Sequence, residues 1–600
     1  MSRPTLAKLT FAAILLGAVG FALWVQNYKY RASTLGLDQV IGLKAGQVDL
    51  KMKVNSAWEA IEPGRRPEYF VAAWIDRKTC IGEPIAIHVG YRPEPARLPD
   101  LIWLEFASTY GPILDVRRQI QIEEDLKPVN GLTRVGGVAE FPSQSGTRVV
   151  GLEVVLLPDG SAIAVAVEGS QEAIGLVRQW VDEIVESMDF ELPKSVFQAA
   201  PGESIVLPGW QFPAAMPLFV NQQAGSEVLA MHPAGVESRK LWRGEVRAVR
   251  LPEYRKPQEL LQDYFYSLIS LDEVVNVSKG EASGSDTQVY MGKIEPGRNG
   301  SEGADIKLAY LVVGPESSGL LLSAEVPGGR GPEVETQLAE MLKEAKQTEV
   351  AVIGPEPINV HERFAGSDLA RSVSELGGWF EVLADNTLVG FEMLNFKFDA
   401  ERAVVSGLGF TYFKSPTVTY NEQEHWSFSR DMNWGVTESV IQAEVSRLAR
   451  TTRYTIATKC EFDGKQIDCS VRINDRQMHQ SVRQPAEFVC TGADLLLLGI
   501  LAGSSASQDE LQKGFRMAQP STLTAGIKSV SLKILPPEQD RVRISALADD
   551  EFRATVSLFN RQGSWEGLDT HTGITVRRTS IEKIAESFPS VFGSAEKMIQ

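Results

Sequence analysis

Cys460 and Cys469, in the segment TKCEFDGKQIDCSVRI, have types that allow a disulfide, a metal clip or two idle thiols. Zinc asks for four ligands, typically in two close pairs. Only Cys490 and His479 stand near, in a spacing that matches no zinc pattern, so no metal site is expected. A second stretch, EQEHWSFSRDMNW, holds Glu422, Glu424 and Asp431 with His425, an arginine and two tryptophans. Paired carboxylates are the equipment of acid–base hydrolysis, but here they would have to converge in three dimensions. Along the chain the stretch reads as the solvated face of an amphipathic strand.

Other catalytic signatures are missing from the sequence. There is no G-x-S-x-G elbow, no H-E-x-x-H, no Walker-type phosphate loop and no G-x-G-x-x-G opening a helix. The six histidines are scattered and read as structural. No catalytic, cofactor-binding or metal-binding residue is therefore assigned, and no cofactor is expected.

The two cysteines must be positioned by a β-hairpin, because Tyr454, Ile456, Cys460 and Phe462 alternate on one arm and Ile467, Cys469, Val471 and Ile473 on the other. Two registers keep these faces together. With Asp463-Gly464 as a type I′ turn, Cys460 faces Ile467 and Cys469 lies on a diagonal about 7 Å away. With Gly464-Lys465 as a type II′ turn, Cys460 faces Cys469 at a closely spaced pair. The second register is adopted, with a Cys460–Cys469 disulfide. Pairing of either cysteine with Cys490 is the competitor, and Cys80 is expected to stay a free, buried thiol.

A disulfide needs an oxidising compartment, and the start of the chain bears on that. After Arg3 and Lys8, Leu9 to Val25 carries no charge, just long enough to span a bilayer as a helix of about 17 residues. Trp24, Tyr28 and Tyr30 follow where an interfacial belt would lie. A cleaved signal peptide shares these features, but the small-residue pairs lie inside the apolar run, so an uncleaved signal anchor over 1–32 is the reading. It places the body outside the cytoplasm, in the periplasm or beyond, with the membrane as a partner through one N-terminal helix.

With 600 residues, 43% hydrophobic and 23% charged, the chain is globular and too long for one core. A formal net charge of −17 without a dense basic patch argues against nucleic acid as a partner.

An internal repeat organises the first half. Residues 147–190 lie without gaps over 304–347, each reading as strand, tight turn, strand and amphipathic helix. Val177, Val181, Ile184, Val185 and Met188 coincide with Val334, Leu338, Met341, Leu342 and Ala345. Upstream, 89–108 and 249–268 each read as a strand, a proline-marked turn and a helix. Residues 45–195 and 203–350 are read as two copies of one α+β domain, which resembles the PsbP-like fold. That resemblance carries no active site over.

A linker, 351–374, precedes strand after strand in 375–600, interrupted by an apolar segment at Leu495 to Gly503 that is too short to span and is expected to be buried. This region resembles the LolA/LolB-like lipoprotein carriers, half-open antiparallel barrels round an apolar cavity. Trp379, Phe380, Phe391, Phe396, Phe398, Phe410, Tyr412 and Phe413 could line such a cavity or form plain core. The expected fold class is thus α+β: an N-terminal transmembrane helix, two related antiparallel-sheet domains and a C-terminal β half-barrel. The expected function is a membrane-anchored, non-enzymatic binding or scaffold protein, with other proteins or an apolar ligand as partners. A hydrolase with a site invisible in sequence is the alternative.

Overall fold

The structure, a computed structural model, describes residues 36–599 apart from 63–69, 77–83, 93–119, 280–286, 295–305, 505–513 and shorter breaks. The expected anchor Leu9 to Val25, the free thiol of Cys80 and the early helix near 93–108 lie outside the described residues. Among the described residues, no helix is long and apolar enough to cross a membrane.

The first unit runs through β1 (Gln39–Ala45), β2 (Val48–Val54), β3 (Glu59–Ala60), β4 (Phe70–Asp76), β5 (Ile85–Arg92), β6 (Ile120–Glu123), β7 (Arg134–Ser143), β8 (Gly146–Leu156), β9 (Ala162–Ser170), α1 (Ile174–Glu186) and β10 (Asp189–Glu191). Strand β2 shows why such segments pair. Val48, Leu50, Met52 and Val54 are buried while the charged residues between them are exposed, the two-residue period of a half-buried strand. The second unit runs through β11 (Val196–Ala199), β12 (Ser204–Leu207), β13 (Trp210–Pro213), β14 (Leu218–Gln222), β15 (Val228–Pro233), β16 (Arg243–Arg250), α2 (Pro257–Leu268), β17 (Val275–Lys279), β18 (Gln288–Ile294), β19 (Ile306–Val313), β20 (Ser318–Val326), α3 (Gly331–Lys343) and β21 (Lys346–Gln347).

These two units share one strand order. The first sheet runs β3-β4-β5-β9-β8-β7-β6, and the second runs β14-β15-β16-β20-β19-β18-β17 with β11 added outside β14. A small three-stranded sheet accompanies each, β1-β2-β10 in one and β12-β13-β21 in the other. Helices α1 and α3 begin and end at the offset that carries 147 onto 304. Val177, Val181, Ile184 and Val185 are buried in α1 as Val334, Leu338, Met341 and Leu342 are in α3. An apolar stripe of this width must be covered, and the sheet covers it.

Beyond them, β22 (Glu356–Pro357), α4 (Val360–Ala365) and α5 (Leu369–Leu376) occupy the stretch expected as linker. Val360, Phe364, Leu369 and Leu376 are buried there, so the segment packs. There follow β23 (Gly378–Ala384), β24 (Thr387–Asp399), β25 (Val404–Lys414), β26 (Val418–Ser429), β27 (Gly435–Arg447), β28 (Arg450–Phe462), β29 (Gln466–Ile473) and β30 (Arg476–Arg483). Helix α6 (Ala493–Gly503) then precedes β31 (Phe515–Pro520), β32 (Ile527–Glu538), β33 (Arg541–Ala548), β34 (Thr555–Phe559), β35 (Trp565–Asp569), β36 (Ile574–Thr579), α7 (Ile581–Ser587) and α8 (Pro589–Ile599). All fifteen strands join one sheet, ordered β22-β31-β32-β33-β34-β35-β36-β23-β24-β25-β26-β27-β28-β29-β30.

The expected α+β class is corrected by this balance: among the described residues strands make up 57% and helix 19%, so the protein is mostly β. The half-barrel is corrected too. Among the described residues the C-terminal sheet is open, with β22 and β30 as unjoined edges, and no barrel closes. The alternation that identified the strands says nothing about whether the first and last meet. That depends on stagger and tilt summed over the whole sheet.

Candidate functional site

The C-terminal sheet curls enough for distant strands to face one space. Residues of β24, β26 and β31 to β35, with the start of α6, line a cavity of about 340 Å³. Helix α6 sits at its side because, after Asp494 in its first turn, ADLLLLGILAG is apolar on every face, and Leu496, Leu497, Leu498 and Leu501 are all buried, as such a helix must be. Its start is set by Gly492, whose φ of +84° places it in the left-handed region.

Glycines also shape the wall. A Cβ on Gly492 would lie 2.5 Å from Cδ2 of Trp426, and one on Gly407 would lie 2.5 Å from Trp426 Nε1. The indole therefore lies over the glycine backbone of β25, opposite Gly407 in register, and against the entry to α6. Phe396 meets it at 5.1 Å between ring centroids. Trp426 is 3% exposed and Trp565, across the cavity, 4%, and neither indole N–H has a hydrogen-bond partner. An unpaired buried donor costs on the order of 1 to 3 kcal/mol.

Acidic side chains complete the lining. Glu392, Leu394 and Phe396 alternate onto the inner face of β24, and Glu424 and Trp426 onto that of β26. Asp494 enters from α6, where its carboxylate accepts from the Leu495 N–H (2.8 Å) and from Gln519 Nε2 (2.9 Å). Glu392, Glu424, Asp494 and Lys528 are all partly exposed, yet protein surrounds them; the exposed part of each faces the cavity. Burial pushes the Glu392 carboxyl up to about 8, with the Glu422 charge adding to it. Burial, and then Glu422, Asp494 and Glu392, hold Glu424 well above the carboxylate range. Asp494 is raised by burial as well. Burial works against the Lys528 charge, but Asp550, Glu551, Asp263 and Asp549 together raise its pKa. A carboxyl pushed up to about 8, as Glu392 is, can donate a hydrogen bond at neutral pH as well as accept one, and Glu424 is shifted in the same direction.

Of the three carboxylates singled out in the sequence, Glu424 lines the cavity and Glu422 lies beside it. Glu422 accepts from the hydroxyls of Tyr420 and of Ser439 (3.3 Å). Asp431 is elsewhere, in the turn after β26, where it accepts from Asn433 N–H (3.2 Å) and stays low in pKa despite some burial. His425 is exposed on the other face of β26. The aromatic set divides by strand parity. Phe396 lines the cavity, while Trp379, Phe391, Phe410 and Tyr412 face outward under Ile584, Phe588 and Phe592 of the C-terminal helical region.

Glu392, Asp494 and Lys528 were not singled out from sequence. For Glu392 a signal existed: in GFEMLNFKF it shares strand parity with Leu394 and Phe396, so an acid sits on a face that is otherwise apolar.

The hairpin carries the disulfide. Cys460 pairs with Cys469, Phe462 with Ile467 and Ile456 with Ile473, and the cysteine Cα atoms are 4.1 Å apart. Gly464 has φ of +82°, as the first position of the adopted turn requires. Asp463 caps the turn by accepting from the N–H groups of Lys465 (2.9 Å) and Gln466 (2.8 Å). Cys490 is a free, buried thiol.

No protein-family description and no curated protein matches the chain. Among solved structures it has slight likeness to the tail fiber of Staphylococcus aureus phage P68, at 8% identity over 79% of this chain and 100% of that one, with a TM-score of 0.10. A GH43_12 retrieved from capybara gut metagenome follows at 9% identity, 74% and 89% coverage and a TM-score of 0.09. A xylan beta-1,4-xylosidase from Bacillus Halodurans C-125 gives 8% identity, 60% and 90% coverage and a TM-score of 0.07. Such scores carry no fold or function across, and none of the three is a PsbP- or LolA-like protein.

Proposed function

We propose that this chain is a non-enzymatic binding protein working outside the cytoplasm, held at a membrane through its N-terminal apolar run, whose C-terminal sheet receives a neutral amphiphile. The observation that carries this reading is the cavity lining. Apolar walls from Leu394, Phe396, Leu498, Val530 and Leu568 surround the carboxyls of Glu392 and Glu424, which burial shifts towards the protonated form. The apolar walls would take the ligand's chain, and the carboxyls its hydroxyl or carbonyl end. A cavity of about 340 Å³ lies in the usual range of small-ligand sites, about 300 to 1,000 Å³. A cross-strand disulfide also suits an oxidising compartment.

Hydrolysis is the weaker reading. Acid–base hydrolysis by two carboxyls needs one protonated and one ionised. Here Glu392, Glu422, Glu424 and Asp494 are all shifted upward together.

The test is titration with the neutral fluorophore N-phenyl-1-naphthylamine. The wild-type protein should bind it saturably with one site, and Ala546→Trp, which fills the cavity, should abolish that site without lowering the melting temperature. Equal binding by both proteins would remove the cavity from the proposal.

A further inference from the structure

A second cleft, of about 670 Å³, opens where the second unit meets the C-terminal sheet. Its lining runs against the charge of the whole molecule. The chain carries 77 acidic and 60 basic side chains, yet Arg250, Lys256, Arg483 and Arg516 line this cleft against Glu253 and Glu487 alone. Arg250 and Lys256 come from the second unit, Arg483 and Arg516 from the C-terminal sheet.

Arg516 gives the excess a direction. It is 7% exposed, and only its Nη2 is engaged in an ion pair, with Glu487 Oε1 at 3.2 Å. Its Nε and Nη1 have no hydrogen-bond partner, and neither has Nε2 of Gln480 on the same wall. A guanidinium presents its donors as a fork suited to two oxygens of one oxyanion, and a buried charge left half-paired is costly. Glu487 does not fill the fork, since it also accepts from the Tyr254 hydroxyl (3.4 Å). Lys256 is held by Glu259 (3.0 Å), so Arg250, Arg483 and Arg516 stand against Glu253 and Glu487, a net positive balance that suits an oxyanion such as a phosphate monoester, which carries about −1.5 to −2 at neutral pH.

We infer that this cleft binds the phosphate group of a small molecule or lipid headgroup, received by Arg516 from within and by Arg250 and Arg483 from the two rims. The site is separate from the amphiphile cavity and does not depend on it.

Calorimetric titration of the full chain with inorganic phosphate tests the inference, and vesicles of phosphatidylcholine with and without phosphatidic acid form a second arm. Saturable binding is expected, weakened about tenfold or more in Arg250→Glu and in Arg483→Glu, both exposed positions that leave the core intact. Arg402→Glu, in a distant turn, should bind as wild type. Binding of phosphate in solution assigns a free ligand, and binding only of the phosphatidic acid vesicles assigns a headgroup. The inference is overturned if neither probe binds, if both rim variants bind as tightly as wild type, or if Arg402→Glu loses as much as they do.

Discussion

Arg255 Nε stands 3.1 Å from Asp549 Oδ2, joining the second unit to the C-terminal sheet across 294 positions of sequence. The same guanidinium donates to Asp263 Oδ2 at 2.7 Å, and Ser521 Oγ donates to Asp263 Oδ1 at 2.7 Å. Arg247 adds a bond to the Ala548 carbonyl at 2.9 Å, and Tyr264 meets Phe552 edge-on. The side chains of Arg255, Asp263 and Asp549 are almost wholly buried, so the two bodies are docked through an ionic core rather than a wet seam.

Removing the cation from that core should be expensive. Arg255→Met leaves Asp263 and Asp549 buried without their partner, and the expected loss is about 3 to 5 kcal/mol, as for other broken buried pairs. Chemical denaturation should show it. A loss below about 1 kcal/mol would mean that the two bodies are held by apolar contact alone.

The cavity carboxyls give a pH dependence of definite sign. Glu392 titrates near 8 folded, against about 4.5 unfolded. Its contribution is fully present below the unfolded value and is lost as pH rises towards 8, because the folded form binds the proton more tightly. Glu392→Gln removes that loss. The melting temperature of the variant minus that of wild type should therefore grow as pH is raised from about 5 to about 8.5, and a flat or falling difference would show the carboxyl to be ordinary.

Gly492 is the backbone position on which the cavity wall turns. An alanine there meets the Trp426 ring and takes a left-handed conformation that a side chain resists. Gly492→Ala should cost on the order of 1 to 3 kcal/mol and reduce binding of the neutral fluorophore, because the indole must move. Thermal melts and the fluorophore titration read the two effects separately. Unchanged binding would exclude Trp426 from the wall.

The disulfide closes a short loop, so its effect is modest. Replacing both Cys460 and Cys469 by serine should lower stability by at most about 2 to 3 kcal/mol. Non-reducing peptide mapping should give a Cys460–Cys469 peptide with Cys490 free. A peptide joining Cys460 to Cys490 would contradict the pairing.

Local patterns carried the elements that a sequence can carry. The alternation through Ile456, Cys460 and Phe462 identified its strand, the stripe through Val181 and Leu338 its helices, and the run from Leu495 to Gly503 a buried segment. What failed was long-range. Whether β22 meets β30 is decided by curvature accumulated over fifteen strands, and no window of residues records it. The overall class differs because the apolar stripes of α1 and α3 are strong local signals for helices that are a small share beside the long strands. The cavity was half legible: Glu424 stood out by its neighbours, whereas Asp494 and Lys528 join it only because the sheet folds back on itself.

The proposed ligand, a neutral amphiphile, would occupy the space between Trp426, Trp565 and the carboxyls of Glu392 and Glu424. Crystals soaked with a bromine-terminated straight-chain alcohol test it most directly, since bromine is located by its anomalous scattering. One bromine is expected among Leu498, Val530 and Leu568, with the hydroxyl within hydrogen-bond distance of Glu392 or Glu424. Bromine found only outside this cavity, at saturating alcohol, would contradict it.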